Sequence, residues 1–344
     1  MDPRILIVKL SSMGDVIHAL PVATSLRATF PHATLAWVVE KRWQALVENH
    51  PDLDEVLTVD SFRSRKHWKT LPELWREIGR VRHFRADWAL DLQGTLKSAA
   101  VTLMSGARHR VGFNARAMRE PGGSVAYHQR VHPRSMHIVD QMLEVAETIA
   151  PLQRRHEFRL PVPNAIHAEV EAWLAGLNLG EFVFLSPGGG WGAKRWPSHR
   201  YAELAQRLES ELGLAAILNR GPGERGLETA FQQANAIRAR LFSGDVPHLA
   251  ALLARARLVV GGDTGPLHLA AVMGRPVVAL YGPTDPLRNG PYSATSTVLR
   301  KPGDTTYTRT HSHSASMLAL TVEEVLQACR DLLGRAGEGA ADRA

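Results

Sequence analysis

The chain has 344 residues, a length that predicts about two domains. Hydrophobic residues make up 44% and charged residues 22%, which excludes a disordered tail protein, a collagen and a coiled coil. There are 41 basic and 34 acidic side chains, a net charge of +7, which favours anionic partners of any kind and says nothing about fold.

No run approaches the ~18 apolar residues that would span a bilayer. A single cysteine, Cys329, excludes a disulfide framework and a cysteine zinc site within one chain. The N-terminus runs into a strand-like segment within four residues, which leaves no room for a signal peptide and points to a cytoplasmic protein.

Along the chain, short apolar runs alternate with segments of helical period, the pattern of a parallel α/β sheet. Ile5–Val8 is a continuous apolar strand, as expected where both faces are buried. The turn Ser11-Ser12-Met13-Gly14-Asp15 leads into a helix from about Asp15 to Arg27. A strand follows at Leu35–Val39, another ends at Asp91, and a helix begins after Gln93. Residues 61–140 hold 15 Lys and Arg against 6 Asp and Glu, while the remainder holds 26 against 28, so the whole surplus of positive charge sits in one quarter of the chain.

Residues 151–163 turn polar and proline-punctuated and read as an inter-domain linker. The second half repeats the pattern of the first. Phe182–Leu185 is a strand, the glycine cluster 188–192 follows, and a helix from Ser198 sets Tyr201, Leu204, Ala205, Leu208 and Leu212 on one face. Strands at Ala215–Leu218, Leu258–Val260 and Val277–Leu280 alternate with helices. The last helix opens with the capping box Thr321-x-x-Glu324 and buries Val322, Val325, Leu326, Cys329 and Leu333. These elements predict two doubly wound domains facing each other, over 1–160 and 161–320, with a C-terminal helix over 321–334 and a frayed tail over 335–344.

Two nucleotide motifs are decoys. Gly221-Pro-Gly-Glu-Arg-Gly226 matches the dinucleotide fingerprint but sits in the second βα unit of its domain and carries a proline in the turn. Gly188-Gly-Gly-Trp-Gly-Ala-Lys194-Arg195 fails the P-loop spacing, with Ala193 before the lysine and Arg195 where Ser or Thr should stand. What remains is a glycine-rich turn with a lysine, suited to phosphate but lacking the magnesium-binding hydroxyl.

The Ser11–Asp15 turn lies at the carboxyl end of the first strand, where open α/β sheets place ligands, and Gly14 lets a substrate approach the backbone. Asp15 opens the helix, so it can be a capping acid held by the dipole or a carboxylate serving as general base; both readings stay open. A helix start favours its ionised form, which a base requires. In the second half, Asp263, Thr264 and Gly265 follow a strand and two glycines and precede a helix whose amides suit a diphosphate. Plain capping by Asp263 and Thr264, and a core role for His268, are the competing readings.

Six segments occur in an order and at spacings that resemble glycosyltransferase family 9, the bacterial lipopolysaccharide heptosyltransferases: KLSSMGDVIHALP at 9–21, DLQGTLKSAA at 91–100, MREP at 118–121, KRWP at 194–197, GGDTGPLHLAA at 261–271 and YGPTDP at 281–286. The first block and MREP are most similar to the heptosyltransferase I branch. The resemblance implies a GT-B fold, two Rossmann-like domains with a cleft between them. It also implies inverting, metal-independent transfer of heptose from ADP-heptose to the Kdo of lipid A at the cytoplasmic face of the inner membrane, with no bound cofactor.

By that resemblance Asp15 is the catalytic base, and Lys194 offsets charge on the leaving diphosphate together with the amides of Thr264 and Gly265. Glu224, beside Gly221, matches the acid that bonds the ribose, which turns the dinucleotide decoy into part of an adenosine pocket. Ser11, Ser12, Gly14, Gly189, Gly190 and Gly244 complete the donor side, with Asp263 as a heptose ligand and His268 near the donor. Gly244 departs from the family, standing where a larger adenine-contacting residue is usual. Arg63, Arg65, Lys66, Lys97 and Arg119 fall where the family places basic groups for its phosphorylated acceptor, against the plain reading of a solvated charge run.

The 305–317 segment has Ser and Thr where some members have cysteines, which favours a polar loop for His311 and His313 over metal binding. Three other readings remain. One is a family member that adds a later heptose or another sugar. A second is a dehydrogenase holding NAD at 221–226. The third is a nucleic-acid patch at 61–140, though that window lacks the interleaved surface aromatics of a strand-binding platform. The charge surplus is read as a docking surface for a phosphorylated lipid acceptor at an anionic membrane, with no amphipathic anchor evident in the sequence.

Overall fold

The computed structural model describes residues 2–60, 71–221, 233, 238–303, 305–306 and 312–341. The chain separates into two compact units, Met1–Pro161 and Val162–Ala344, and the boundary falls inside the proline-punctuated stretch, which carries no helix or strand.

The first unit is built on a six-stranded parallel sheet in the order β3-β2-β1-β4-β5-β6. Its strands are β1 Arg4–Val8, β2 Thr34–Val39, β3 Glu55–Thr58, β4 Trp88–Asp91, β5 His109–Phe113 and β6 Gln129–Val131. Four helices are described in this unit: α1 Met13–Thr29, α2 Leu71–His83, α3 Leu96–Met104 and α4 Ile138–Ala146. Parallel strands need crossovers, and the helices that supply them cover the sheet. Leu6 and Val8 of β1 and Ala36 and Val38 of β2 pack with Ile78 and Val81 of α2 and Val101 of α3 in one core.

The second unit repeats the design with the order β12-β11-β10-β7-β8-β9. Its strands are β7 Phe182–Ser186, β8 Ala215–Asn219, β9 Arg240–Phe242, β10 Leu258–Gly262, β11 Val277–Tyr281 and β12 Ser296–Arg300. The described helices are α5 Asn164–Leu177, α6 Ser198–Leu212, α7 Val246–Arg255, α8 Gly265–Val272, α9 Pro286–Asn289, α10 Ala315–Leu318 and α11 Val322–Ala341. Tyr201, Leu204, Ala205 and Leu208 of α6 meet Val325, Leu326 and Cys329 of α11 in its core. Each sheet has the doubly wound order in which the first strand of the unit lies beside the fourth, and ligands bind at the carboxyl ends of that pair.

Three local expectations need correcting. Gly261 and Gly262 are the end of β10 and not a turn, paired in register with Ala279 and Leu280 of β11. The chain after Gly334 stays helical to Ala341. In the last helix the buried position is Leu332, with Leu333 only partly covered, because a stripe through Val325, Leu326 and Cys329 continues at a spacing of three.

Candidate functional site

In the second unit the β7/β10 pair carries a polar cluster. The chain leaves β7 through Gly188–Gly190, makes a short 3-10 turn at Gly192–Lys194, and returns Lys194 to the end of β10. There the Lys194 ammonium pairs with Oδ2 of Asp263, and His268 Nε2 lies 2.9 Å from Oδ1 of the same carboxylate. Burial alone would push the Asp263 carboxyl up. The His268 hydrogen bond and the Lys194 charge win and hold it well below the usual carboxylate range. An ionised carboxylate only accepts, so His268 carries its proton on Nε2 and donates it here.

The competing reading of Asp263 as a helix cap does not hold. Thr264 is the N-cap of α8 by backbone geometry and makes no side-chain hydrogen bond to the helix; its hydroxyl sits 3.4 Å from the Ser186 hydroxyl at the end of β7. Asp263 faces the lysine turn instead. Thr264 and Gly265 therefore lie at a helix start whose amides are not taken by a capping side chain, next to a cation. Gly189 accepts from the Arg195 guanidinium at 2.9 Å, which folds the glycine turn back on itself, while Gly190 has open space around it.

His313 Nδ1 lies 2.8 Å from the Arg195 carbonyl, and the Ser314 hydroxyl donates to the Ala193 carbonyl at 2.9 Å. The His313–Ser314 segment thus braces the lysine turn, a role its composition did not suggest. Gly244 lies just past β9, against Phe242, whose ring comes within 2.5 Å of where a Cβ would stand. Gly221 follows β8. Glu224 and His311 lie outside the described residues.

In the first unit the β1/β4 pair holds Asp15. Ser12 is the N-cap of α1 and Asp15 its third residue, a complete capping box: the Ser12 amide donates to Asp15 Oδ2 at 3.0 Å and the Ser12 hydroxyl at 2.8 Å. The side chain is still 51% exposed, so one oxygen is tied to the loop while the carboxylate keeps contact with solvent. Capping and solvent access coexist at Asp15, which leaves room for both sequence readings. Gly14 is buried in the first turn, and Ser11 is half-buried beside it.

Two residues overlooked in the sequence frame this loop. Gln93 Oε1 accepts from the amides of Leu10 and Ser11 at 2.7 and 3.1 Å. Lys9, almost wholly buried, donates to the Leu92 carbonyl at 2.8 Å and places its ammonium 4.0 Å from Asp15 Oδ1. Behind them the buried Asp91 accepts from the amides of Gln93 and Gly94 and from the Tyr127 hydroxyl at 2.8 Å. Burial raises the Asp91 carboxyl and, together with the Asp91 charge, raises the Tyr127 phenol. The sequence signal for Lys9 and Gln93 is a lysine ending an apolar strand and an Asp-x-Gln at the end of its partner, a pairing that local spacing does not reveal.

Lys97 is half-buried and paired. Its ammonium lies 2.6 Å from the buried Glu40, which also pairs with Arg42, so α3 is tied to the end of β2. Arg119 is exposed on the segment that precedes the 3-10 turn Pro121–Ala126. Arg63, Arg65 and Lys66 lie outside the described residues.

Comparisons with known proteins place the chain in a family. The model of glycosyltransferase family 9 (heptosyltransferase) matches residues 73–317. The chain is 32% identical over 311 residues to lipopolysaccharide heptosyltransferase 1 of Escherichia coli O18:K1:H7, covering 88% of this chain and 92% of that protein. The structure of the E. coli heptosyltransferase WaaC with ADP superposes with a TM-score of 0.75 at 28% identity, over 96% of this chain and 99% of that one. WaaC with ADP-2-deoxy-2-fluoro heptose gives 0.75 at 27%, over 95% and 99%. Both sheets have the GT-B architecture of these enzymes. On the match across most of the chain and the shared fold, the protein is a glycosyltransferase and belongs to family 9, the heptosyltransferases.

Proposed function

We propose that the enzyme transfers heptose from ADP-heptose to the Kdo of lipid A during assembly of the lipopolysaccharide inner core, with inversion at the anomeric carbon and without a metal, at the cytoplasmic face of the inner membrane. The observation that carries this reading is the Lys194–Asp263–His268 cluster beside the start of α8. A buried, ionised carboxylate holds a lysine where a helix terminus offers amides, and relatives of this fold are solved with ADP and with a fluorinated ADP-heptose.

In this reading Lys194 keeps one N–H on Asp263 and turns its others to the diphosphate, while Thr264 and Gly265 supply amides. As the bond to the sugar breaks, about one negative charge develops on ADP, and fixed cations and dipoles stabilise it without a metal. Asp263 accepts from a heptose hydroxyl on the remaining lone pair of Oδ2, the oxygen that also takes Lys194. Gly189 and Gly190 let the phosphates approach the turn, and Gly221, Glu224 and Gly244 form the adenosine side.

Asp15 takes the proton from the acceptor hydroxyl, a step that contributes roughly 10²–10⁴-fold, with Ser11, Ser12 and Gly14 shaping the loop around it. Lys9, 4.0 Å away, is the cation that faces this carboxylate. Lys97, Arg119, Arg63, Arg65 and Lys66 meet the acidic acceptor, and an acceptor anion at Lys97 would exchange with Glu40.

Mass spectrometry of Kdo-lipid A incubated with ADP-heptose, in the presence and absence of EDTA, tests this directly. One added heptose in both samples is the expected result. Transfer only to an acceptor that already bears heptose would assign a later step, and loss of transfer in EDTA would reject the metal-free route.

A further inference from the structure

We propose that the outer face of α2 and α3 is a docking surface for an anionic lipid bilayer, which deepens the reading above and rests on it, since that reading makes the acceptor lipid-linked. Both helices bury one side against the first sheet, through Ile78 and Val81 of α2 and Val101 of α3. The opposite side carries apolar groups that a solvated helix does not need. Leu96 and Leu103 are 57% and 52% exposed and, with Ala100 between them, follow a 4-then-3 spacing that puts all three on one stripe of α3. Trp75, on the outer side of α2, is 67% exposed, so the basic window does carry a surface aromatic.

The 3-10 turn Pro121–Ala126 extends the stripe. Glu120 accepts from the Leu96 amide at 2.6 Å, and a Cβ on Gly122 would lie 3.6 Å from the Leu96 side chain. Val125, one 3-10 turn further on, is 80% exposed. Four of the five large apolar side chains exposed among the described residues of this unit therefore belong to α2, α3 and this turn.

Charge decides the kind of partner. The same layer exposes Arg76, Arg82, Arg108 and Arg119. Arg82 reaches beside Gly106, just past the end of α3, at 3.8 Å from an added Cβ, so the two helices end side by side and the apolar stripe has arginines at both ends. Of the acids nearby, Glu120 is spent on the Leu96 amide, Asp87 on Arg108 at 3.6 Å and Glu77 on the Asp60 amide at 3.0 Å, which leaves the exposed Glu73 in the first turn of α2 against these arginines. An apolar strip with a tryptophan, flanked by arginines, matches the boundary between acyl chains and anionic headgroups. Among the described residues no helix is long and apolar enough to cross the membrane, so the protein would lie on the surface. Lys97 and Arg119, assigned above to the acceptor, border this strip.

Flotation of the full chain with phosphatidylglycerol–phosphatidylcholine vesicles tests the proposal, with phosphatidylcholine vesicles alone as the comparison. Wild type should float with the anionic vesicles only, and its tryptophan emission should shift to the blue, a shift that Trp75→Phe diminishes. The pair Leu96→Ser and Leu103→Ser should lower the partition coefficient about tenfold, and Arg82→Glu with Arg108→Glu should lower it by about fivefold or more per arginine. Leu287→Ser, at an exposed leucine of the second unit, should change nothing. Unchanged flotation in both paired variants, at unchanged thermal midpoints, overturns the surface. So does vesicle-free self-association that the same variants abolish, which would assign the face to a second copy of the chain. Transfer to a deacylated, Kdo-bearing acceptor in solution, measured in parallel, separates the two proposals: its loss in wild type rejects the proposed function, whereas the flotation result stands independently of turnover.

Discussion

A Cβ added to Gly262 would lie 2.9 Å from the carbonyl oxygen of Lys194, so the missing side chain at the end of β10 is what lets the lysine turn close onto Asp263. The obstacle is backbone, which cannot swing aside as a side-chain tip can. Gly262→Ala should therefore move the turn away from the carboxylate, at a cost of about 1–3 kcal/mol for overpacking. ADP affinity should fall about tenfold, as calorimetric titration would show. Native ADP affinity at a lowered thermal midpoint would mean that the Lys194 contact is dispensable for the nucleotide.

Asp15 combines a structural and a chemical role, and two substitutions separate them. Asp15→Asn keeps an oxygen for the Ser12 amide and hydroxyl but removes the base; Asp15→Ala removes both. The asparagine variant should keep its thermal midpoint and ADP affinity while kcat falls by roughly 10²–10⁴. The alanine variant should lose about 1 kcal/mol of stability in addition. Equal turnover in wild type and Asp15→Asn would leave the residue with the capping role alone.

The contrast between Asp15 and Asp263 marks how far the sequence could be read. Both precede or open a helix after a strand, and both admitted a capping reading from local pattern. Capping is local, three residues from donor to acceptor, and Ser12–Asp15 fits it. Asp263 instead pairs with Lys194, 69 positions away, and nothing in local spacing reveals such a contact. Strand and helix identities were legible because apolar runs bounded by glycines impose them within ten residues or so. Strand ends drifted by a residue or two because terminal pairing is set by the neighbouring strand, as Gly261 and Gly262 show. Lys9 was invisible as a site residue for the same reason: its burial and its 4.0 Å approach to Asp15 depend on Leu92 and Gln93 arriving from β4.

Gln93 is a positioning residue for the base loop. Its Oε1 takes two backbone amides, Leu10 and Ser11, immediately before Ser12. Gln93→Leu would leave both without a partner at a cost of about 1–3 kcal/mol and loosen the segment that carries Asp15. The expected signature is a kcat lowered about ten- to a hundredfold with ADP affinity unchanged, and partial recovery in Gln93→Glu, which keeps an oxygen acceptor. A fall in stability with no change in kcat would confine Gln93 to the fold.

The first unit also carries a pH liability in His50. Its Nδ1 accepts from the Asp52 amide at 3.2 Å, Nε2 is buried with no hydrogen-bond partner among the described residues, and Asp52 is held by Arg159 at 3.2 Å. Burial lowers the imidazole pKa to about 4, Asp52 opposing and Arg159 reinforcing the shift. Because the folded state takes up this proton only near pH 4 while the unfolded chain takes it up near 6.5, the unfolded state binds more protons in between. Stability is then full above pH 6.5 and falls as pH drops towards 4, by about 3 kcal/mol in all. Asp263 and Asp245, held low, lose their contribution as pH falls through the unfolded aspartate value of about 3.9, and the glutamates held low, Glu144, Glu211 and Glu324, lose theirs from about 4.5 downwards. His50→Asn keeps an acceptor for the Asp52 amide and cannot be protonated, so denaturant unfolding of that variant should lose most of the wild-type slope between pH 6.5 and 4. A slope as steep as wild type would assign the acid loss to another group.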